Sequence, residues 1–293
     1  MSFVSSVAAA IGHLYPLKSG CGRFANNPVF RHLDPPGGPD RIARVPGGRA
    51  LVPGGDYVGR TMRFVGDLDP KVSWIVDQAI SPGDTVLDIG ANLGLVSLRM
   101  AARAGPEGQV HAFEPQPRLQ TYLKKTLAMN PDLPVSLHPV ALGAEQTTLN
   151  LSVPADNAGA ASLLPGSGPA PGTEQIAVPV HRLDDYAEEI GLNRVDFIKI
   201  DVEGCEAQVF EGAAALLKRT EPGVIILEEN GLDPRTHSSA AIRILRDMGY
   251  DIHALPRRLF RVGLCPVTEA PDAHDFVAVA GSASAELRRR LAI

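Results

Sequence analysis

Hydrophobic positions along this chain switch repeatedly between two periods. Val72, Ile75, Val76 and Ile80 recur at helical spacing, and Ser81-Pro82-Gly83-Asp84 ends that run. Short apolar runs alternating with helical patterns follow, which predicts strands at 85–88, 109–113, 135–140, 196–201 and 223–228. Between them the spacing predicts helices over about 93–104, 118–129, 205–218 and 238–248, with a shorter one over 183–190. Residues 149–153 and 176–180 form a further strand-like pair. Two late strands, 251–255 and 275–279, would close a sheet as a hairpin, and 283–292 reads as a terminal helix. Strand and helix in strict alternation indicate an α/β fold, a mostly parallel sheet with helices on both faces.

Residues 1–60 lie outside this alternation. Phe3, Val7, Ile11 and Leu14 have a helical spacing, and Pro- and Gly-rich turns at 34–39, 46–48 and 51–55 punctuate the remainder. This extension is expected to act as a cap or a lid on a domain covering 61–282, with 283–293 as a C-terminal helix. Residues 154–173, rich in Ala, Gly, Pro and Ser, read as a long loop.

Composition narrows the class. Hydrophobic residues make up 44% of the 293, enough for a large core, and the net charge is −5 without a long basic run. Nucleic acid is therefore not expected as the principal partner. Arg257-Arg258 and Arg288-Arg289-Arg290 read as solvated faces. Three scattered cysteines form no disulfide or metal framework. No stretch is apolar enough to span a bilayer, and no basic n-region marks a leader, so a cytoplasmic protein is expected. The sequence leaves the oligomeric state open.

The chemistry concentrates where strands end. The first strand runs into Asp88-Ile89-Gly90-Ala91-Asn92-Leu93-Gly94, and the second ends in Glu114-Pro115. Strand, glycine turn, helix, and strand ending in an acid make a nucleoside site, the acid accepting both ribose hydroxyls. Leu95 stands where a dinucleotide motif needs its last glycine, and Asp88 sits poorly beside a pyrophosphate. S-adenosylmethionine fits better, with its carboxylate on the helix-start N–H groups and its cationic parts facing the acids. A nicotinamide oxidoreductase is disfavoured on the same ground.

A second constellation, Phe197-Ile198-Lys199-Ile200-Asp201-Val202-Glu203-Gly204, is expected to place Lys199, Asp201 and Glu203 on one face of a strand. Such charges belong at the C-terminal end of a strand, where open α/β folds bind ligands. The neighbouring strand ends in Glu228-Glu229-Asn230, so the acids of both strands could converge on one cleft.

Taken together, 83–94, Phe113-Glu114-Pro115 and Ile198–Gly204 resemble the FkbM family of S-adenosylmethionine-dependent methyltransferases, over about residues 60–280. The resemblance implies a Rossmann-like seven-stranded sheet with its last strand antiparallel. It implies O-methylation of a hydroxyl on a sugar, a glycolipid or another natural-product small molecule. Carried onto this chain, Asp88, Gly90, Ala91, Asn92 and Gly94 would hold the methionine part, Glu114 with Pro115 the ribose, and Leu142 either walls the adenine or belongs to the core. Asp201 is the first candidate near the transferring methyl, with Glu203 and Glu228 behind it. Lys199, also a catalytic candidate, either pairs with an acid and tunes its charge, lowers the pKa of an acceptor hydroxyl, or merely orders the strand ends. Mg²⁺ on Asp201 with Glu228, Glu229 or Asn230 is the sharper alternative but is not expected. Departures from the family pattern are Leu68-Asp69-Pro70, with its shorter acid, and Leu95-Val96-Ser97 after the glycine turn. The competing function is a catalytically inactive, methyltransferase-like scaffold that retains nucleoside affinity.

Overall fold

A computed structural model describes residues 3–154, 173–229, 238–270 and 272–293. Most of the predicted long loop and Asn230 lie outside the described residues.

The chain opens with helices α1 (Phe3–Gly12), α2 (Cys21–Ala25) and α3 (Pro28–Leu33), strands β1 (Arg41–Val45) and β2 (Gly48–Val52), and helix α4 (Tyr57–Phe64). The alternating region follows: α5 (Pro70–Ala79), β3 (Thr85–Ile89), α6 (Leu95–Ala104), β4 (Gln109–Phe113), α7 (Pro117–Ala128) and β5 (Val135–His138). An excursion, β6 (Ala141–Leu142), β7 (Thr147–Pro154) and β8 (Thr173–His181), forms a separate three-stranded sheet. The chain then returns through α8 (Leu183–Glu189), β9 (Phe197–Ile200), α9 (Glu206–Gly212), α10 (Ala214–Thr220) and β10 (Val224–Glu228). It ends with α11 (Ala240–Asp247), β11 (Tyr250–Ala254), β12 (Cys265–Pro266), β13 (Asp275–Ala280) and α12 (Ala285–Leu291).

The main sheet has the order β12-β11-β13-β10-β9-β3-β4-β5. Strands β5, β4, β3, β9 and β10 pair in parallel, and β13 runs antiparallel to both β10 and β11. These are the seven expected strands with the expected antiparallel one, plus the two-residue edge strand β12.

Period-two alternation sorts the central side chains between two apolar layers. Leu87, Ile89, Ile198, Ile200, Ile225 and Leu227 pack with residues of α8 to α11. Val86, Phe197, Val224, Ile226, Val277 and Val279 pack with α5, α6 and the end of α12. Continuing the second parity to the strand ends puts Asp88, Lys199, Glu228 and Asp275, on the adjacent strands β3, β9, β10 and β13, on the face covered by α5 and α6. That shared parity creates the polar floor of the site.

Two local departures from the sequence pattern have packing reasons. The helix expected over 205–218 breaks at Ala213 (φ −113°, ψ 5°). At the break, a Cβ on Gly212 would lie 2.0 Å from the Gly143 carbonyl oxygen, so the chain must turn there to clear the excursion. Helix α4 escapes hydrophobic patterning because it buries Arg60 and Arg63 around Asp34. Arg63 Nη1 donates to Asp34 Oδ1 at 2.6 Å, and Arg60 Nη2 donates to the Asp34 and Gly55 carbonyls at 2.9 and 2.7 Å. Two cations converging on one acid let the helix sit inside. The hairpin β1–β2 docks on α7, where Leu51 N–H donates to Thr126 Oγ1 at 2.9 Å.

Candidate active site

Strand β3 delivers the chain to a turn that only glycine fits at its first corner. Gly90 has φ +82°, and a Cβ there would lie 2.0 Å from the Asp201 carbonyl oxygen. The Gly90 and Ala91 N–H groups both donate to the Phe113 carbonyl, at 3.0 and 2.9 Å. Asn92 follows in the left-handed region at φ +52°, and its own Oδ1 accepts from Leu93 N–H at 2.8 Å.

The next strand supplies the acid. Glu114 is buried, and its two oxygens accept from the Asn92 and Gln116 N–H groups, at 2.8 Å each. Burial pushes its carboxyl up to about 7, against those backbone donors and the charge on Lys199. With Pro115, Leu142, Leu151 and Val140 it lines a small, mostly apolar cavity beneath the excursion. Each carboxylate oxygen carries a further lone pair beyond the one its backbone donor uses.

A second, larger cavity of about 590 Å³ adjoins the first, and Gly90, Asn92 and Asp201 line both. Its floor is the polar parity described above, namely Lys199, Glu228 and Asp275. Its walls are Ala91 and Leu93 from the turn, Asp69 and Lys71 from the start of α5, and residues 19–23, Tyr57 and Val58 from the N-terminal region. Lys199 Nζ donates to the Gly90 carbonyl at 2.9 Å and lies 3.4 Å from Asp88 Oδ1 and 3.6 Å from Asp201 Oδ2. Burial works to lower its pKa, but Asp88 and Asp201 outweigh it and hold Lys199 protonated. Glu228 is pushed up to about 7 by burial, then by Asp201 and Asp275. Within this cavity it is an acid poised to exchange a proton near neutrality.

Three placements differ from expectation. Asp88 does not face either cavity: it is fully buried, accepts Ser97 Oγ–H at 2.5 Å and pairs with Lys199. An anion under the sheet end needs partners there, so Asp88 anchors Lys199. Gly94 lines neither cavity. It is the N-cap of α6 (φ +83°), where a Cβ would meet Leu123 Cδ1 at 2.4 Å. Lys199, Asp201 and Glu203 do not share one strand face, because β9 ends at Ile200, before Asp201, and Glu203 turns at φ +53°. It lines the small cavity and not the large one. Among the described residues no group of three or more His, Cys, Asp or Glu side chains is arranged to hold a metal ion.

Sequence reasoning missed Lys71 and Asp275. Lys71 Nζ lies 2.5 Å from Asp69 Oδ2 and 2.6 Å from Asp275 Oδ2, tying the start of α5 to the start of β13 beside Glu228. The available signal was Asp69-Pro70-Lys71, where Asp69 caps α5 through the Lys71 and Val72 N–H groups.

Seven strands with one antiparallel member, besides the edge strand β12, a glycine turn after the first of them and a buried acid after the second define a Rossmann-like fold. Residues 88–252 match the family described as Methyltransferase FkbM domain, more than half of the chain. The protein belongs to that family and is a methyltransferase. It is 30% identical to the methyltransferase sdnD of Sordaria araneosa over 57% of this chain and 73% of that one. It is 30% identical to the 2-O-methyltransferase NoeI of Sinorhizobium fredii, over 50% and 64%. It is 29% identical to the 31-O-demethyl-FK506 methyltransferase FkbM of Streptomyces tacrolimicus, over 45% and 60%.

Proposed function

We propose that the chain is an S-adenosylmethionine-dependent O-methyltransferase acting on a hydroxyl of a small, sugar-like or natural-product acceptor. Glu114 carries the reading. It is a buried carboxylate with two backbone donors and spare lone pairs at the rim of an apolar cavity, as a ribose diol requires. In this reading Glu114 and Pro115 hold the ribose, and Leu142 walls the base. The turn from Gly90 through Asn92 borders the amino-acid portion. The bound cofactor supplies an electrophilic methyl on a cationic sulfur.

The large cavity takes the acceptor, and Asp201 stands at the junction of the two. Proximity and alignment of the hydroxyl there provide much of the rate. Glu228 accepts the hydroxyl proton, since its elevated pKa matches that task near neutral pH. Lys199 orders Asp201 and the Gly90 carbonyl rather than acting as a base. Two of the relatives bear names that specify O-methylation, which favours an oxygen acceptor.

The test is incubation with methyl-labelled S-adenosylmethionine and a panel of hydroxylated acceptors. Label on an oxygen, with stoichiometric S-adenosylhomocysteine, is the expected result. Tight cofactor binding without transfer to any acceptor would instead favour the inactive scaffold.

A further inference from the structure

The large cavity opens between two segments that carry cations and no acids. Neither residues 1–33 nor residues 252–268 contain a single Asp or Glu, although the net charge is −5. The two segments touch where Lys18 N–H donates to the Leu259 carbonyl at 2.7 Å. Both reach the cavity wall, one through Arg23 and the other through Arg257 and Leu259.

Their outward side chains are apolar and cationic. Phe260 is 82% exposed and Leu259 is 52% exposed. On and just after α1, Ile11 is 61% and Leu14 78% exposed, on the stripe that begins at Val7. The opposite side of α1 packs inward, since a Cβ on Gly12 would lie 2.0 Å from the Phe64 carbonyl oxygen. Single exposed apolar residues are ordinary, but several on two segments that touch each other, one of them lining the cavity through Leu259, are not. Among the described residues, Lys18, Arg23, Arg258 and Arg261 make no salt bridge.

We propose that this rim is a docking surface for an anionic lipid bilayer, with Phe260, Leu259, Ile11 and Leu14 entering the headgroup boundary and the four cations meeting lipid phosphates. Apolar side chains projecting from a basic surface bind membranes by combining burial with charge attraction. The cations of these two segments turn them toward an anionic surface, and the exposed apolar side chains beside those cations fix which face docks. Docked in this way, the mouth of the large cavity faces the bilayer. The surface stands independently of the cofactor assignment.

Flotation of the full chain with vesicles tests it, using phosphatidylcholine alone and phosphatidylcholine mixed with phosphatidylglycerol. The protein is expected to float with the anionic vesicles, to do so less in high salt, and to remain behind with the neutral ones. Leu259→Ser with Phe260→Ser, and separately Arg258→Glu with Arg261→Glu, are each expected to lower the bound fraction roughly tenfold. Unchanged S-adenosylmethionine affinity or unchanged thermal midpoint shows that the variants are folded. Absence of flotation by the wild-type protein, or flotation that neither salt nor the variants reduce, overturns the proposal. Gel filtration showing a dimer that Phe260→Ser converts to a monomer would assign the patch to a second copy of the chain, and would overturn it as well.

Discussion

Asn92 and Glu114 hold each other across two parallel strands: the Asn92 N–H donates to Glu114 Oε2 at 2.8 Å from a left-handed backbone. The glycine turn and the acid are thus one unit, and the protonation of one is coupled to the shape of the other. Burial raises the Glu114 carboxyl from its ordinary value of 4.5 to about 7 in the free protein. A ribose diol donates to the carboxylate, so binding below that value requires loss of a proton. Cofactor affinity should therefore fall by up to roughly tenfold per pH unit below about 7 and level off above it. Titration calorimetry across pH checks this, and Glu228→Gln should retain the slope because Glu228 lies in the other cavity.

The same shift predicts a trend in stability. A group whose folded pKa is raised contributes stability that is full below 4.5 and lost as pH rises through about 7. For Glu114 the loss is roughly 3 kcal/mol across that window. The difference in urea midpoint between wild type and Glu114→Gln at mildly acidic and mildly alkaline pH isolates it from Glu228, which adds to the loss, and from His138, lowered to about 4, which opposes it; saturating cofactor should offset it at the higher pH.

Glu228→Gln should lower kcat by roughly 10²- to 10⁴-fold, the range for loss of a general base, while leaving cofactor affinity within about twofold. A matching loss in cofactor affinity would place Glu228 in the binding site rather than at the acceptor.

Asp88→Asn should act on stability. The carboxylate is fully buried against Lys199 and Ser97. Removing its charge leaves a buried cation short of a partner and should cost roughly 3 kcal/mol in denaturant unfolding. A double variant, Asp88→Leu with Lys199→Met, should recover part of that loss, since neither charge is then stranded.

Gly90→Ala should damage both fold and site. The added Cβ falls on the Asp201 carbonyl, in a φ region that alanine disfavours. A loss of more than about 1 kcal/mol in stability is expected, together with weakened cofactor binding.

Four of the parallel strands are legible because each is a short apolar run with an acid at or just past its end, namely Asp88, Glu114, Asp201 or Glu228; β5 is legible from its apolar run alone. Glu114 and Gly90 were legible for the same reason, since local chain direction fixes what they can face. Other features depend on partners distant in sequence. Arg60 and Arg63 look like solvated positions until Asp34 folds onto them. Asp88 reads as a ligand group until Lys199, 111 residues later, is seen to claim it. Glu203 obeys strand parity only if the strand continues, and the turn into α9 ends it first. Lys71 and Asp275 meet only when β13 inserts beside β10, a crossover that no local pattern encodes.

The central claim is that the Glu114 cleft binds S-adenosylmethionine, and isothermal titration of wild-type, Glu114→Ala and Glu228→Gln proteins tests it most directly. Micromolar binding by wild type and by Glu228→Gln, with no measurable heat from a folded Glu114→Ala, is the predicted result. Equal affinity for all three, or no binding by the wild-type protein, would contradict the assignment.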